Sequence, residues 1–160
     1  MKRYLFLGFG LAIALYQPVT ASERRNHSLV IVVNKSNTIK TMTVYELRRI
    51  FTKQRRFWGD RELVDRQSIV PVDWEAKSDV RKSFSKYVLG KSVMEMTEFW
   101  VLQSMTVGLT APITQKSTKA ILRFVAIVPG AISYVPANEV DLSVKTIKIR
   151  DWNSSDLSTH

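Results

Sequence analysis

The sequence contains no cysteine, and its two histidines, His27 and His160, lie near its ends. Disulfide frameworks, thiolate metal sites and cysteine nucleophiles are therefore excluded. The histidines have no evident orienting partners, so a nucleophilic triad is poorly supported, and no residues have the spacing of a metal site. Acidic residues are scarce, 14 against 24 lysines and arginines, and the net charge of +10 favours anionic partners. We therefore expect a binding protein without metal or cofactor, and not an enzyme.

Long apolar runs are missing beyond the N-terminal region. There, residues 4–16 form an uncharged apolar stretch that follows two basic residues and precedes small residues at the −3 and −1 positions of a cleavage site. This pattern is typical of a secretory signal peptide, residues 1–21, cut before Ser22. An uncleaved anchor is the alternative, although the stretch is short for a bilayer span of about 20 residues. We expect a periplasmic protein that meets the membrane only through its cleaved signal peptide, which argues against nucleic acid as a partner.

The remaining residues 22–160 number 139, which predicts one domain. They carry 22 basic and 14 acidic residues, a net charge of +8, and nine of the basic residues fall between positions 35 and 66. Within this stretch Arg48, Arg49, Arg55 and Arg56 could bind an acidic partner or an envelope surface. The alternative is a solvated helix face that has no partner.

The order of the predicted elements is that of an α/β domain. Apolar runs predict strands at residues 29–33, 68–73, 131–135 and 144–149. Serine or threonine caps precede four helical patterns, at Thr43, Ser78, Ser92 and Ser117. The first and third of these caps have a glutamate three residues later, which completes a capping box. Strands that alternate with helices predict a mostly parallel sheet flanked by helices.

In such a sheet, ligands bind beyond the carboxyl ends of the strands. This rule selects three loops: residues 34–37 with Ser36 and Asn37, residues 73–78, and the turn after Tyr134. The predicted ligand-binding residues come from the first two of these loops and from the helix that follows the second.

The loop at residues 73–78 is the most informative of the three. It begins at Asp73, at the end of a strand, and leads to a helix capped by Ser78. The N–H groups of Asp79, Val80 and Arg81 would face the loop, and with the helix dipole they suit an oxyanion. Arg81 could add a positive charge. The alternative is that Ser78 only caps the helix and that Arg81 is solvated.

Three separated segments together resemble periplasmic phosphate-binding proteins of ABC transporters. Residues 46–53, followed by Trp58, are similar to that family's "L..IF.GK...W" segment, and residues 69–84 to its "I.VV.REDGSGT...F" segment. Residues 128–135 are similar to its "PGAIGYV" strand. The resemblance implies a type 2 periplasmic binding-protein fold, phosphate or a related oxyanion as the ligand, and an ABC permease or another envelope protein as the partner.

The resemblance also marks departures from the family. The family's serine is kept as Ser78, but its arginine, glycine and threonine correspond to Trp74, Asp79 and Val80. A bidentate guanidinium and a hydroxyl donor are thereby lost. Because few residues precede position 46, we expect a single lobe of a fold that normally uses two. A solute-binding function in ABC-type uptake is one hypothesis; a non-transport interaction module that uses its basic face is the other.

Overall fold

A computed structural model describes residues 28–59 and 67–152, and these residues form a β-sheet flanked by helices. The predicted signal peptide and the C-terminal tail lie outside the described residues. The strands are β1 (Leu29–Val33), β2 (Thr41–Met42), β3 (Val70–Trp74), β4 (Ile113–Gln115), β5 (Ala131–Pro136) and β6 (Lys145–Ile149). The helices are α1 (Val44–Phe51), α2 (Asp79–Phe84), α3 (Val93–Val107) and α4 (Thr118–Ile127). A π-helical turn, Ser85–Leu89, continues α2, and a 3-10 turn, Ala137–Glu139, follows β5.

The six strands form one sheet in the order β2-β6-β1-β5-β3-β4. The β2–β6, β3–β5 and β3–β4 pairs are parallel, whereas β1 is antiparallel to both of its neighbours. Five strands therefore share one direction, which confirms the predicted α/β class with a mostly parallel sheet. The short strands β2 and β4 were not predicted, because segments of two and three residues carry too little periodicity.

The predicted helix starts are observed. Thr43 and Ser92 both form complete capping boxes, in which each side chain accepts the N–H of the glutamate three residues on. Ser117 accepts the N–H of Ala120 in the same way at the start of α4. Ser78 differs, because it occupies the N-cap position of α2 without any side-chain cap hydrogen bond.

The core lies between the sheet and its helices. On the face covered by α1 and α2, the rings of Phe84 and Tyr134 stack at a centroid distance of 3.6 Å, and Phe51 meets Phe84 edge-on at 4.8 Å. All three side chains are fully buried. Aromatic pairs of this kind add about 0.5–1.5 kcal/mol beyond the burial of their area. This cluster therefore fixes α2 above the ends of β3 and β5.

The helix α3 is packed less completely than the others. It buries only Met96 and Trp100, and several of its apolar side chains are exposed. Within residues 28–59 and 67–152, no helix is both long and apolar enough to cross a bilayer.

Candidate functional site

The carboxyl ends of β3, β4 and β5 meet at one edge of the sheet, which we call the carboxyl edge. The register pairs Asp73 with Thr114 and Trp74 with Gln115, and β5 runs parallel to β3. Of the three loops selected from the sequence, the structure brings the residue 73–78 loop and the turn after Tyr134 to this edge.

The loop at residues 34–37 lies at the opposite ends of these strands, so Ser36 and Asn37 are separated from the other predicted ligand-binding residues. Because β1 is antiparallel to β5, Val33 pairs with Ile132 near the start of β5. The antiparallel direction of one strand thus places Ser36 and Asn37 far along the sheet from Asp73. Sequence reasoning assumed a parallel β1, since nothing in a five-residue apolar run encodes its direction.

The side chains of the 34–37 loop are used to fold the loop itself. The Asn34 Nδ2 group donates to the carbonyls of Val125 and Ala126 near the end of α4, both at 2.9 Å. Ser36 donates its N–H to Asn34 Oδ1 at 2.9 Å, and Asn37 Oδ1 accepts the N–H of Ile39. This loop therefore supports α4, and Ser36 and Asn37 line a separate cleft of about 290 Å³ at that edge.

At the carboxyl edge, three buried polar side chains form a connected group. The Arg81 guanidinium forms an ion pair with Asp73 Oδ2, and the Tyr134 hydroxyl donates to Asp73 Oδ1. The exposed fraction is 7% for Arg81, 2% for Asp73 and zero for Tyr134. Arg81 is thus neither solvated nor free for an anion, because its charge is matched by Asp73.

The environment of this group sets its protonation. Burial lowers the pKa of Arg81 below its ordinary value, while the neighbouring Tyr134 acts in the opposite direction. Burial raises the pKa of Tyr134 well above its ordinary value, so the phenol keeps its proton and remains a donor to Asp73. Sequence reasoning missed the role of Tyr134; the only signal was its position at the end of a predicted buried strand.

Ser78, Asp79 and Val80 lie at the surface of the carboxyl edge. The N–H of Ser78 donates to the carbonyl of Glu75 at 3.0 Å and closes the turn. The Ser78 hydroxyl makes no cap bond, and the first N–H groups of a helix have no partner inside it. The turn therefore offers a hydroxyl and backbone donors for a ligand with acceptor oxygens.

Asp79 is exposed, and its carboxylate is partly neutralised by a neighbour. Lys82 Nζ donates to Asp79 Oδ1 at 2.7 Å, and this hydrogen bond lowers the pKa of Asp79. Asp79, which replaces the family's glycine, is thus paired with Lys82 one turn along the helix. It does not present an unpaired negative charge to the turn.

A cleft of about 390 Å³ lies between α3 and the ends of β3 and β4. We call it the α3 cleft. Arg81 and Asp73 form part of its lining, with Trp100, Val101 and Thr114. The Trp100 Nε1 group is buried and has no hydrogen-bond partner among the described residues. The cleft therefore has a mostly apolar lining, with the Arg81–Asp73 pair as part of its wall.

The four arginines of the predicted cluster lie at the surface or are half-buried, and three of them have a partner. Arg48 Nε donates to the carbonyl of Val88 at 2.7 Å, Arg55 pairs with Glu46 at 3.3 Å, and Arg49 lies over the ring of Tyr45. Trp58, Trp74 and Trp100 are all buried. Among the described residues, no group of three histidine, aspartate or glutamate side chains could hold a metal ion.

No family model matches the sequence. The fold is similar to that of an ABC-type phosphate transport receptor from Vibrio cholerae, with a TM-score of 0.61, 23% identity, and coverage of 79% of this chain and 48% of that one. It is also similar to a putative phosphate ABC transporter substrate-binding protein with bound phosphate from Clostridium perfringens (TM-score 0.61, 24% identity, 79% and 46% coverage). A possible phosphate-binding protein from Planctomyces limnophilus matches with a TM-score of 0.55, 20% identity, and 78% and 42% coverage.

These similarities concern the fold. The described residues share their fold with the matched part of these phosphate transport structures. The chain spans less than half the length of the structures it matches.

Proposed function

We propose that this protein is an exported, phosphate-binding-like protein that takes phosphate or a related oxyanion at the Ser78 turn. The observation that carries the proposal is the match of its fold to two phosphate ABC transporter proteins. The position of the Ser78 turn at the carboxyl edge supports it, because ligands of open α/β sheets bind there. The proposed ligand contacts are the Ser78 hydroxyl and the N–H groups of Asp79 and Val80. Arg81 supports the turn from below through its ion pair with Asp73.

The geometry favours weak binding. The buried guanidinium is already paired with Asp73, so it gives no bidentate contact to a ligand at the turn. We propose that the chain serves ABC-type uptake and that an ABC permease or another envelope protein is its partner. A non-transport interaction module that uses its basic face remains the second candidate, and it is supported by the exposure of Arg48 and Arg56 on that face.

The test is thermal unfolding of the full mature protein with increasing inorganic phosphate. A ligand that binds only the folded state stabilises it by RT ln(1 + [L]/Kd), about 2.7 kcal/mol at 100 times the Kd, which raises the melting temperature by several degrees. Ser78→Ala should remove the shift, whereas Ser104→Ala on exposed α3 should keep it. No shift with millimolar phosphate or sulfate, at matched ionic strength, would contradict the proposal.

A gain-of-function pair sharpens the test. Asp79→Gly removes the carboxylate beside the turn, and Val80→Thr returns a hydroxyl donor that the family pattern has. Together they should increase the phosphate-dependent shift. The proposed export is checked separately by sequencing the N-terminus of the protein from the periplasmic fraction, which should begin at Ser22.

A further inference from the structure

The strand β4 forms one end of the sheet, and its outer edge is unpaired within residues 28–59 and 67–152. The N–H of Glu75 donates to the Gln115 carbonyl at 3.1 Å, so the backbone of Gln115 is directed toward β3. Because successive residues of a parallel strand bond in opposite directions, the N–H and C=O groups of Thr114 are directed outward. Thr114 is exposed. The edge therefore presents a backbone donor and acceptor to a further strand.

Beside the outer edge of β4, one cleft lies on each face of the sheet. Gln115 lines a groove of about 470 Å³ along α4, which we call the α4 groove, whereas Thr114 lines the α3 cleft. Successive side chains of a strand point to opposite faces of the sheet, and an added strand follows the same alternation. A segment paired with β4 would therefore place alternate side chains in the α4 groove and in the α3 cleft.

The α4 groove has apolar lining from Phe124 and Ile127 and carries two basic side chains. Lys119 and Arg123 lie on its wall, both are exposed, and neither has an acidic partner within 4.0 Å among the described residues. Lys116, at the end of β4, meets Glu75 only at 3.5 Å and is itself exposed. No acidic residue lines the groove. The groove therefore suits a carboxylate side chain.

The α3 cleft has no unpaired charged residue in its lining, and its α3 wall is apolar. Val101 is 54% exposed and Trp100 forms part of the wall, while the Arg81–Asp73 pair at the base is neutral as a whole. The neighbouring Leu102 and Met105 on α3 are 57% and 80% exposed. Apolar surface of this extent beside an open strand edge is typical of a binding surface. The cleft suits an apolar side chain.

We propose that β4 is a docking edge for an extended segment of a partner protein in which acidic and apolar residues alternate. The partner segment pairs with β4 through main-chain hydrogen bonds to Thr114. The two clefts bind its alternate side chains, as in strand addition to other open sheets. A second copy of this chain is disfavoured as the occupant, because residues 22–160 carry a net charge of +8 and two basic edges repel each other. This inference is independent of phosphate binding, since it uses none of the Ser78 turn.

The experiment measures binding of a fluorescein-labelled peptide of alternating glutamate and leucine to the full mature protein by fluorescence anisotropy. Two control peptides have the same length: one alternates lysine and leucine, and one carries the same glutamates and leucines in two blocks. We expect saturable binding of the alternating acidic peptide and at least about tenfold weaker binding of both controls, a difference of 1.4 kcal/mol. Equal binding of the block peptide would overturn the proposal.

Two protein variants test the contacts. Thr114→Pro removes the outward N–H together with the threonine side chain, at a position where an edge strand tolerates proline, and should weaken binding at least about tenfold. Thr114→Ala keeps the N–H and should bind as before. The double change Lys119→Glu and Arg123→Glu should lose the acidic peptide and gain the lysine peptide. Unchanged peptide preference in this charge-reversed protein would refute the assigned groove.

A modified peptide tests the strand pairing on the unmodified protein, so the test does not depend on whether the proline variant folds. Methylation of the peptide nitrogens on one set of alternate residues blocks one edge of the peptide, and methylation of the other set blocks the opposite edge. One methylated peptide should lose binding to the unmodified protein and the other should retain it. Equal loss or equal retention by the two would contradict strand pairing.

Discussion

The buried Arg81–Asp73 ion pair makes the sharpest stability prediction. Arg81→Met keeps most of the side-chain volume and removes the charge, which leaves the Asp73 carboxylate buried with the Tyr134 hydroxyl as its remaining side-chain partner. With exposed fractions of 7% and 2%, neither partner has solvent to compensate. Breaking a buried pair by removing one partner costs about 3–5 kcal/mol.

That cost is large against the whole stability of a small domain, about 5–15 kcal/mol. In urea denaturation, with a slope of about 2 kcal/mol per molar, a loss of about 4 kcal/mol lowers the midpoint by about 2 M. The matched control is Lys82→Met on the same helix. Its side chain is exposed and pairs with exposed Asp79, so the midpoint should hardly change.

The double variant Arg81→Met with Asp73→Leu separates coupling from simple loss of packing. Both charges are then absent, and the remaining deficit is the unpaired Tyr134 hydroxyl, about 1–3 kcal/mol. The double variant should therefore be more stable than Arg81→Met alone. Two results would refute the reasoning: a midpoint for Arg81→Met close to that of Lys82→Met, or a double variant whose loss equals the sum of the two single losses.

Two further predictions concern a close contact and a capping box. Gly130→Ala should destabilise the fold by about 1–3 kcal/mol in urea denaturation, because an added β-carbon would meet the backbone carbonyl of Ser68. The control is Pro129→Ala at the exposed neighbouring position, which should change the stability by no more than about 1 kcal/mol. Similar urea midpoints for the two variants would contradict this prediction. The Thr43 N–H holds the pKa of Glu46 below its ordinary 4.5, so its contribution is present above that pH and is lost as pH falls through the lower folded value. Glu46→Gln should flatten this acid-side loss of stability relative to Glu98→Gln, and parallel pH profiles of the two variants would exclude the assignment.

Local signals in the sequence were sufficient for most elements. The capping boxes at Thr43 and Ser92 were found because they require only residues three apart, and both are complete in the structure. The apolar runs of β1, β3, β5 and β6 were also found from the sequence, because each is formed by consecutive residues. The π-helical turn that follows α2 carries no such local signal.

The candidate site was predictable only in part. The Ser78 turn and Asp73 were placed at the carboxyl edge by their position after a strand, and the structure puts them there. Ser36 and Asn37 were assigned to the same edge, and the direction of β1 separates them from it. Arg81 was expected to face solvent or an anion, and instead it pairs with Asp73 beneath the edge.

By itself, the sequence determined the α/β class, the helix starts, the positive charge and the resemblance to phosphate-binding proteins, because these depend on composition and on residues near each other along the chain. The tertiary structure alone decided the direction of β1, the Arg81–Asp73–Tyr134 group, and the two clefts beside β4. Each of these depends on residues brought together from distant segments, such as Asp73 and Tyr134, which are 61 positions apart. Strand order and direction set those distances, and periodicity along the chain does not encode them.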